Sequence, residues 1–363
     1  MKAWQVRPGH GIAGLQQIDT DAREPGPAEV LVSMRAASLN YRDWMAARGD
    51  YPGIDGTPRI ALSDGAGEVV AVGARVTRFK PGDRVINTYF PNWIDGEIAL
   101  WKIAESPGAT FDGVLAEQFV ADESTLAAIP AHLSFEEAAT ISCAGITAWN
   151  ALFANAVVKP GATALLLGTG GVSIWALQLA KAAGLRAIIT SSSDEKLARA
   201  RQLGADATIN YRTVPEWQHE VLRLTGGAGA DVVVEVGGYD TMARSIAATR
   251  LGGVVSITGL LSGFAGVDFG LRSLFDVAKH LHGVIVGSRT VLDEVVRLVD
   301  VQQIRPVVDR VFGFDEVPAA YDYLQSGRHF GKVVVRVGGE GDALGERSCV
   351  SAGRSLLRYR TRR

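Results

Sequence analysis

The stretch that most constrains this chain is Leu165-Leu166-Leu167-Gly168-Thr169-Gly170-Gly171-Val172-Ser173, an apolar run that breaks into glycines and continues as a helix through Ala183. It reads as a buried strand, a tight turn and a helix start. Gly168 and Gly170 let the backbone turn sharply and come close to a ligand, and free amides at the helix start carry partial positive charge. Ser173 stands where a third glycine would complete the G-x-G-x-x-G pattern. The surroundings agree with a turn in an α/β unit. Ala164 to Leu167, Ala187 to Ser191, Asp206 to Asn210, Val232 to Val236 and Gly253 to Thr258 are apolar runs separated by helix-length segments. That alternation predicts a doubly wound parallel sheet of the Rossmann kind, with Gly168, Thr169, Gly170, Gly171 and Val172 against the pyrophosphate of a dinucleotide.

The next strand ends about twenty residues beyond Gly168, where an NAD site carries an acid for the ribose 2′-hydroxyl. Here the chain offers Ser191, Ser192 and Ser193, with Lys196 following. Hydroxyls and an ammonium suit a 2′-phosphate, which a carboxylate would repel, so NADPH is expected over NADH. The alternative is that Ser193 only caps the helix containing Lys196 and leaves Asp194 for the ribose. Tyr211 and Arg212 are further candidates for the adenosine phosphate, or else solvated loop residues. Val236, Gly237, Gly259 and Leu260 end later strands, where ligands collect outside the carboxyl edge of an open sheet.

Before the sheet the texture differs. Glu29 to Met34, Gly67 to Val72, Arg84 to Thr88 and Ala116 to Val120 are short β-prone runs broken by Gly, Pro and Asp, the pattern of an irregular β domain. Ser134 to Phe153, opened by Ser134 and Glu137 in capping-box spacing, predicts a helix bridging the two parts. A helix near Val291 to Val301 and another at Val317 to Ser326 follow. Two domains suit 363 residues, of which 47% are hydrophobic. A net charge of -2 gives no field to recruit nucleic acid or a membrane surface, so a small-molecule partner is expected. With Cys143 and Cys349 as the two cysteines, no signal peptide and no membrane-length apolar run, the expectation is a cytoplasmic protein. The segment 339–363 reads as a disordered tail, the alternative being a basic docking segment. The six histidines show no metal or triad spacing and are expected to be surface or packing residues.

Several stretches together resemble the zinc-free branch of the medium-chain dehydrogenase/reductase superfamily, the quinone oxidoreductase-like and zinc-type alcohol dehydrogenase-like proteins. They are Arg35-Ala36-Ala37-Ser38-Leu39-Asn40-Tyr41-Arg42-Asp43, Asp64 to Gly73, Phe79 to Val85, Cys143 to Trp149 and the glycine turn. The resemblance implies a GroES-like catalytic domain built from both chain ends, 1–127 and 290–338, around a Rossmann domain at 128–289. In zinc-dependent members a cysteine, a histidine and a cysteine hold the metal at the positions of Asn40, Ser63 and Cys143. An amide and a hydroxyl are poor substitutes, so no catalytic zinc is expected. Asp64 leaves a residual metal role open, and two cysteines exclude a four-cysteine structural zinc lobe.

The zinc-free branch implies hydride transfer from NADPH to a quinone, enone or other small conjugated carbonyl. Asn40, Tyr41 and Ser63 are the candidates to donate hydrogen bonds to the oxygen that gains charge, with Asn40 beside the nicotinamide. Thr147 matches a nicotinamide-contacting residue, or packs inside its helix. Thr88 to Asp112, aromatic and turn-rich, is either a wall of the substrate pocket or a cover for the core. Val284 to Ser288 is expected as a subunit-joining strand in a homodimer. The alternatives are an NAD(P)-dependent alcohol or aldehyde dehydrogenase and a nucleotide-sensing or RNA-binding protein.

Overall fold

The computed structural model describes residues 1–156, 158–259, 261–263 and 278–338. Leu260, Cys349 and the segment 339–363 therefore lie outside the described residues. In chain order the strands are β1 (Lys2–Val6), β2 (Leu15–Asp19), β3 (Glu29–Leu39), β4 (Arg59–Ile60), β5 (Asp64–Val72), β6 (Arg84–Asn87), β7 (Gln118–Asp122) and β8 (Leu126–Ala128). They continue as β9 (Thr163–Leu166), β10 (Arg186–Ser191), β11 (Ala207–Asn210), β12 (Ala230–Glu235), β13 (Thr249–Ile257), β14 (His280–Gly283), β15 (Val308–Phe312) and β16 (Lys332–Arg336).

β9 to β14 form a parallel sheet in the order β11-β10-β9-β12-β13-β14. Numbered within the domain this is the 3-2-1-4-5-6 order of a dinucleotide-binding sheet, whose order reverses at its first strand. Its central strands are buried and largely apolar because helices cover both faces. Ala164, Leu166, Ile189, Val232 and Val234 pack on one side, Leu165, Ile188, Val233 and Val255 on the other.

A second sheet, mostly antiparallel, runs in the order β15-β16-β3-β5-β6-β8 with β7 also paired to β3, and β2-β1-β4 form a small sheet of their own. Residues 333–336 of β16 run antiparallel to residues 36–39 of β3, so the C-terminal strands return to the first domain as the GroES-like arrangement requires. Alternation along β3 buries Val30, Val32 and Met34 against Val69, Val85, Val333 and Val335. The strand expected at Ala116 to Val120 is displaced two residues, because Gln118–Asp122 is the register that pairs with Glu29 to Ser33. The sequence reading missed the β1-β2 pair, where polar residues are common and the apolar alternation is short.

The bridging segment is helical but not one regular helix. Its capping box forms, Glu137 N donating to Ser134 Oγ at 3.1 Å and Ser134 N to Glu137 Oε2 at 2.8 Å. Wide π-turns at Ile141–Gly145 and Asn150–Ala154 then flank an α-turn at Ile146–Trp149. Such turns recur at functional sites. Val284 to Ser288 is not a strand. The sheet edge is His280–Gly283, after which Val286 turns to φ +40 and its carbonyl accepts from Asn150 Nδ2. A Cβ on Gly287 would lie 2.6 Å from Ile146 Cγ2, so the chain is drawn inward against the bridging helix.

Candidate active site

The glycine turn has the conformation expected of it. Gly168 is left-handed at φ +72, and a Cβ added there would meet only Val236 Cγ2, at 4.0 Å. The helix Gly171–Ala182 starts immediately after, with Gly170 as its cap. Ser173 is buried and donates to Leu167 O at 2.5 Å, closing the strand onto the helix in place of a third glycine. Thr169 is buried beside Ser191, hydroxyl to hydroxyl at 3.4 Å, while Val172 is half-buried. The turn thus leaves open space at Gly168 beside a helix N-terminus, which fits a dinucleotide pyrophosphate.

At the adenosine edge, Ser191 is buried, Ser192 half-buried, and Ser193 caps the helix Asp194–Gln202 by accepting from Lys196 N at 3.3 Å. Asp194 is tied to Asn210 Nδ2 at 2.8 Å rather than left free for a ribose. Lys196 does not extend freely toward a 2′-phosphate. Its ammonium donates to Gly327 O at 2.7 Å and His329 O at 2.9 Å, because the loop before β16 docks on it. Burial there lowers the Lys196 pKa. Tyr211 and Arg212 are exposed at the same edge.

Glu235, buried at the end of β12, shapes the inner edge. It accepts from Gly237 N at 2.6 Å, Gly238 N at 3.1 Å, Thr241 Oγ1 at 2.7 Å and Ser245 Oγ. These bonds hold the ledge of Val236 and Gly237. Gly259 faces that ledge, since a Cβ there would lie 2.9 Å from Val236 O. The role of Glu235 was not legible in the sequence, where it reads as a strand-end carboxylate.

Opposite the turn, the GroES-like domain presents a buried polar cluster. Asn40 is 8% exposed and caps the helix Tyr41–Arg48, its amide N donating to Asp43 Oδ2 at 2.7 Å. Its side-chain Oδ1 accepts from Lys332 Nζ, and the Asn40 side chain also lies against the Asp64 carboxylate, whose charged form it favours. Leu62, left-handed at φ +64, turns the chain so that Ser63 and Asp64 point inward. A left-handed leucine is strained, and the close backbones of Gly108 and Gly113 hold it in place.

Ser63 is fully buried and donates to Asp64 Oδ1 at 2.7 Å, while Cys143 N donates to Asp64 Oδ2 at 3.0 Å. The Ser63 proton is therefore committed to a carboxylate, which corrects its expected role as a donor to substrate. Burial raises the pKa of Asp64 and of the Cys143 thiol, and lowers that of Lys332. Asp64 and Lys332 each oppose the other's neutralisation. Tyr41 is 40% exposed, on the first turn of its helix. Thr147 is buried in the α-turn between the two π-turns.

Tyr89, from the aromatic stretch expected as a pocket wall or core cover, packs with Arg42 and Tyr51, a grouping the sequence did not reveal. Arg42 donates to Asp43 Oδ1 at 3.0 Å and Pro107 O at 2.8 Å, with its guanidinium 4.5 Å from the Tyr51 ring centre and 5.4 Å from that of Tyr89. The two tyrosine hydroxyls bond at 2.9 Å. His329, expected to be a surface or packing residue, faces the glycine turn: a Cβ on Gly170 would lie 3.8 Å from its Nε2. Burial, with help from Lys196 and Lys332, lowers its pKa to about 4. A separate cavity of about 650 Å³ lies under residues 91–111, lined by Thr88, Ile94, Trp101, Phe111 and Phe119. Neither Asn40 nor the glycine turn borders it, so part of the Thr88 to Asp112 stretch walls a different space.

The donor set does not suit zinc. Among the described residues no group of three or more His, Cys, Asp and Glu side chains could hold a metal. At the three ligand positions, Asn40 Oδ1 already accepts from an ammonium, Ser63 is hydrogen-bonded to Asp64, and the Cys143 thiol is kept protonated by burial.

Residues 26–131 match the alcohol dehydrogenase GroES-like domain family, and residues 171–300 the zinc-binding dehydrogenase family. A zinc-type alcohol dehydrogenase-like protein of Schizosaccharomyces pombe is 41% identical over 336 residues, covering 90% of this chain and 97% of its own. Among solved structures, an NAD-dependent alcohol dehydrogenase aligns at 37% identity and a TM-score of 0.85, covering 93% of this chain and all of the other. A quinone oxidoreductase of Pseudomonas syringae pv. tomato aligns at 30% identity and a TM-score of 0.78, covering 92% and 99% of the two chains. With both domains, the strand order and the glycine turn in agreement, the chain belongs to the medium-chain dehydrogenase/reductase superfamily of oxidoreductases.

Proposed function

We propose that this oxidoreductase reduces a quinone, enone or other small conjugated carbonyl with NADPH and without catalytic zinc. The observation that carries the reading is the buried polar cluster where a zinc enzyme of this superfamily would have its metal ligands: Asn40 Oδ1 is taken by Lys332, and Asp64 by Ser63 Oγ and Cys143 N. Bound NADPH would supply a hydride. The chain's own residues hold and surround the reactants. Gly168 to Gly171 and the following helix start bind the pyrophosphate, Thr147 lies in the bridging segment as a candidate nicotinamide contact, and the Val236–Gly237 ledge supports the ribose side. The Asn40 carboxamide, between Lys332 and Asp64, is the candidate donor to the substrate oxygen that gains charge. In a site of low dielectric such a donor acts strongly on developing charge. Tyr51 and Tyr89 wall the space and keep water from it, and Tyr41, exposed at the helix start, contributes to the rim.

The preference for NADPH is supported by serines at the end of β10 and by an Asp194 carboxylate already held by Asn210. The second reading, an NAD-dependent alcohol dehydrogenase, is favoured by the name of the relative at 37% identity. Among the described residues no helix is long and apolar enough to cross a membrane. A cytoplasmic homodimer, joined through the β14 edge of the parallel sheet, completes the proposal. Asn40→Ala should lower kcat for NADPH-dependent carbonyl reduction about 100-fold, as loss of one oxyanion donor does, with little change in cofactor affinity. Unchanged kcat would remove Asn40 from the site.

A further inference from the structure

The dinucleotide turn has a second wall, supplied by the GroES-like domain. The loop that leads into β16 is pinned to the Rossmann domain on both sides of His329. Before the ring, Lys196 Nζ donates to Gly327 O at 2.7 Å and to His329 O at 2.9 Å. After it, Gly331 N donates to Thr169 O at 3.0 Å, and Gly331 forms a β-bridge with Gly170. The imidazole between these anchors is set against the turn. A Cβ built on Gly170 would lie 3.8 Å from His329 Nε2 and would meet no other atom within 4 Å apart from its chain neighbours.

The two ring nitrogens differ in their surroundings. Nδ1 is enclosed and has no hydrogen-bond partner among the described residues, whereas Nε2 is not enclosed. A neutral imidazole carries one proton, and an orphaned buried N–H is tolerated less well than an orphaned acceptor, so the proton belongs on Nε2. The ring is neutral near pH 7. Burial, Lys196 and Lys332 hold its pKa at about 4 against the pull of Asp309. Tyr323, whose ring meets the imidazole edge to face at 6.5 Å, is uncharged as well, its pKa raised by burial. His329 therefore offers an uncharged N–H donor beside the glycine turn. A pyrophosphate carries several acceptor oxygens, and the turn amides reach those that face the helix start. A donor on the other wall engages an oxygen that these amides leave free.

We propose that His329 is a cofactor-binding residue, donating from Nε2 to the pyrophosphate of the dinucleotide held over Gly168 to Gly171. The proposal rests on the reading of that turn as the pyrophosphate site. The contact serves NADH and NADPH alike, because the pyrophosphate is common to both, whereas a contact to the 2′-phosphate would serve NADPH alone.

The test measures NADPH and NADH dissociation constants by nicotinamide fluorescence on the full chain, for wild type, His329→Ala and His329→Gln, with the fold checked by circular dichroism. His329→Ala should weaken both cofactors about 10-fold or more, as loss of a hydrogen bond to a charged group does. His329→Gln should recover part of the loss, since its amide keeps an N–H donor. In wild type labelled with 15N-histidine, the ring signal that His329→Gln lacks should report a proton on Nε2, and it should move when either cofactor binds. Wild-type affinity in His329→Ala, or a ring signal that ignores the cofactor, would overturn the proposal. A loss confined to NADPH overturns it too, because it puts the imidazole at the 2′-phosphate. If His329→Ala does not fold, the ring signal decides. Gly168→Ala separates this proposal from the reading beneath it. Weakened binding there with unchanged binding in His329→Ala sinks the histidine alone, and a wild type that binds neither dinucleotide sinks both.

Discussion

Replacing Gly171 with alanine should damage the molecule through Lys332. Glycine at the first residue of this helix leaves room for the lysine stem, since an added Cβ would lie 2.7 Å from Cδ and 3.6 Å from Cγ. Real Cβ contacts are not that short, so the stem must move, yet its far end is anchored on Leu39 O and Asn40 Oδ1. Overpacking of this kind costs about 1–3 kcal/mol. Loosening a charge-assisted hydrogen bond adds about 1.5–3 kcal/mol. Against these stands a helix-propensity gain of at most about 1 kcal/mol from glycine to alanine. The net is a destabilisation of about 1.5–6 kcal/mol, which at about 2.1 cal/mol/K per residue over 363 residues lowers Tm by about 2–8 °C. Calorimetry gives that figure directly, and steady-state NADPH oxidation should show a fall in kcat because the Asn40 amide loses its anchor. The control is Gly168→Ala. There the cost is backbone strain of about 1–2 kcal/mol at a left-handed residue, no protein atom is displaced, and cofactor affinity should fall instead. A Gly171→Ala variant with wild-type Tm and kcat would refute the reasoning.

Glu235→Ala removes the acceptor of four hydrogen bonds in a fully buried setting, so it should destabilise by about 3 kcal/mol or more in urea denaturation and weaken NADPH binding through the Val236–Gly237 ledge. His329 should titrate near its lowered value of about 4, against the ordinary 6.5, as followed by NMR of its ring protons. Because the folded value lies below the unfolded one, the unfolded chain binds more protons in that window, and this part of the stability is lost as pH falls from 6.5 toward 4. NADPH should raise the His329 pKa by placing phosphate charge near its Nε2; an ordinary value that ignores the cofactor would contradict this geometry.

Much of the architecture was legible because local chemistry and the fold agree. The run Leu165 to Ser173 can hardly be anything but strand, turn and helix, and Ser134 with Glu137 announced a helix start that formed. Regular helical continuation to Phe153 was not legible as two π-turns, since nothing in Ile141–Ala154 marks a widened turn except its context. The site was half legible. Asn40, Ser63, Asp64 and Cys143 could be singled out together only through family resemblance, and their state could not be read at all. Whether Ser63 donates to a substrate or to Asp64 depends on a left-handed Leu62 held by two distant glycines. Lys332 lies 292 residues from Asn40 and reads as an ordinary strand-start lysine until β16 is paired with β3. His329 is likewise placed by the loop that docks on Lys196.

The most direct measurement is NADPH consumption by chelator-treated protein across quinones, enones, alkenals and primary alcohols, with zinc counted by elemental analysis in the same samples. The account predicts NADPH oxidation coupled to loss of a conjugated carbonyl or quinone, at full rate in protein that contains far less zinc than one atom per chain. Activity that appears only after zinc is restored, or alcohol oxidation with NAD and no reduction of conjugated carbonyls, would contradict it.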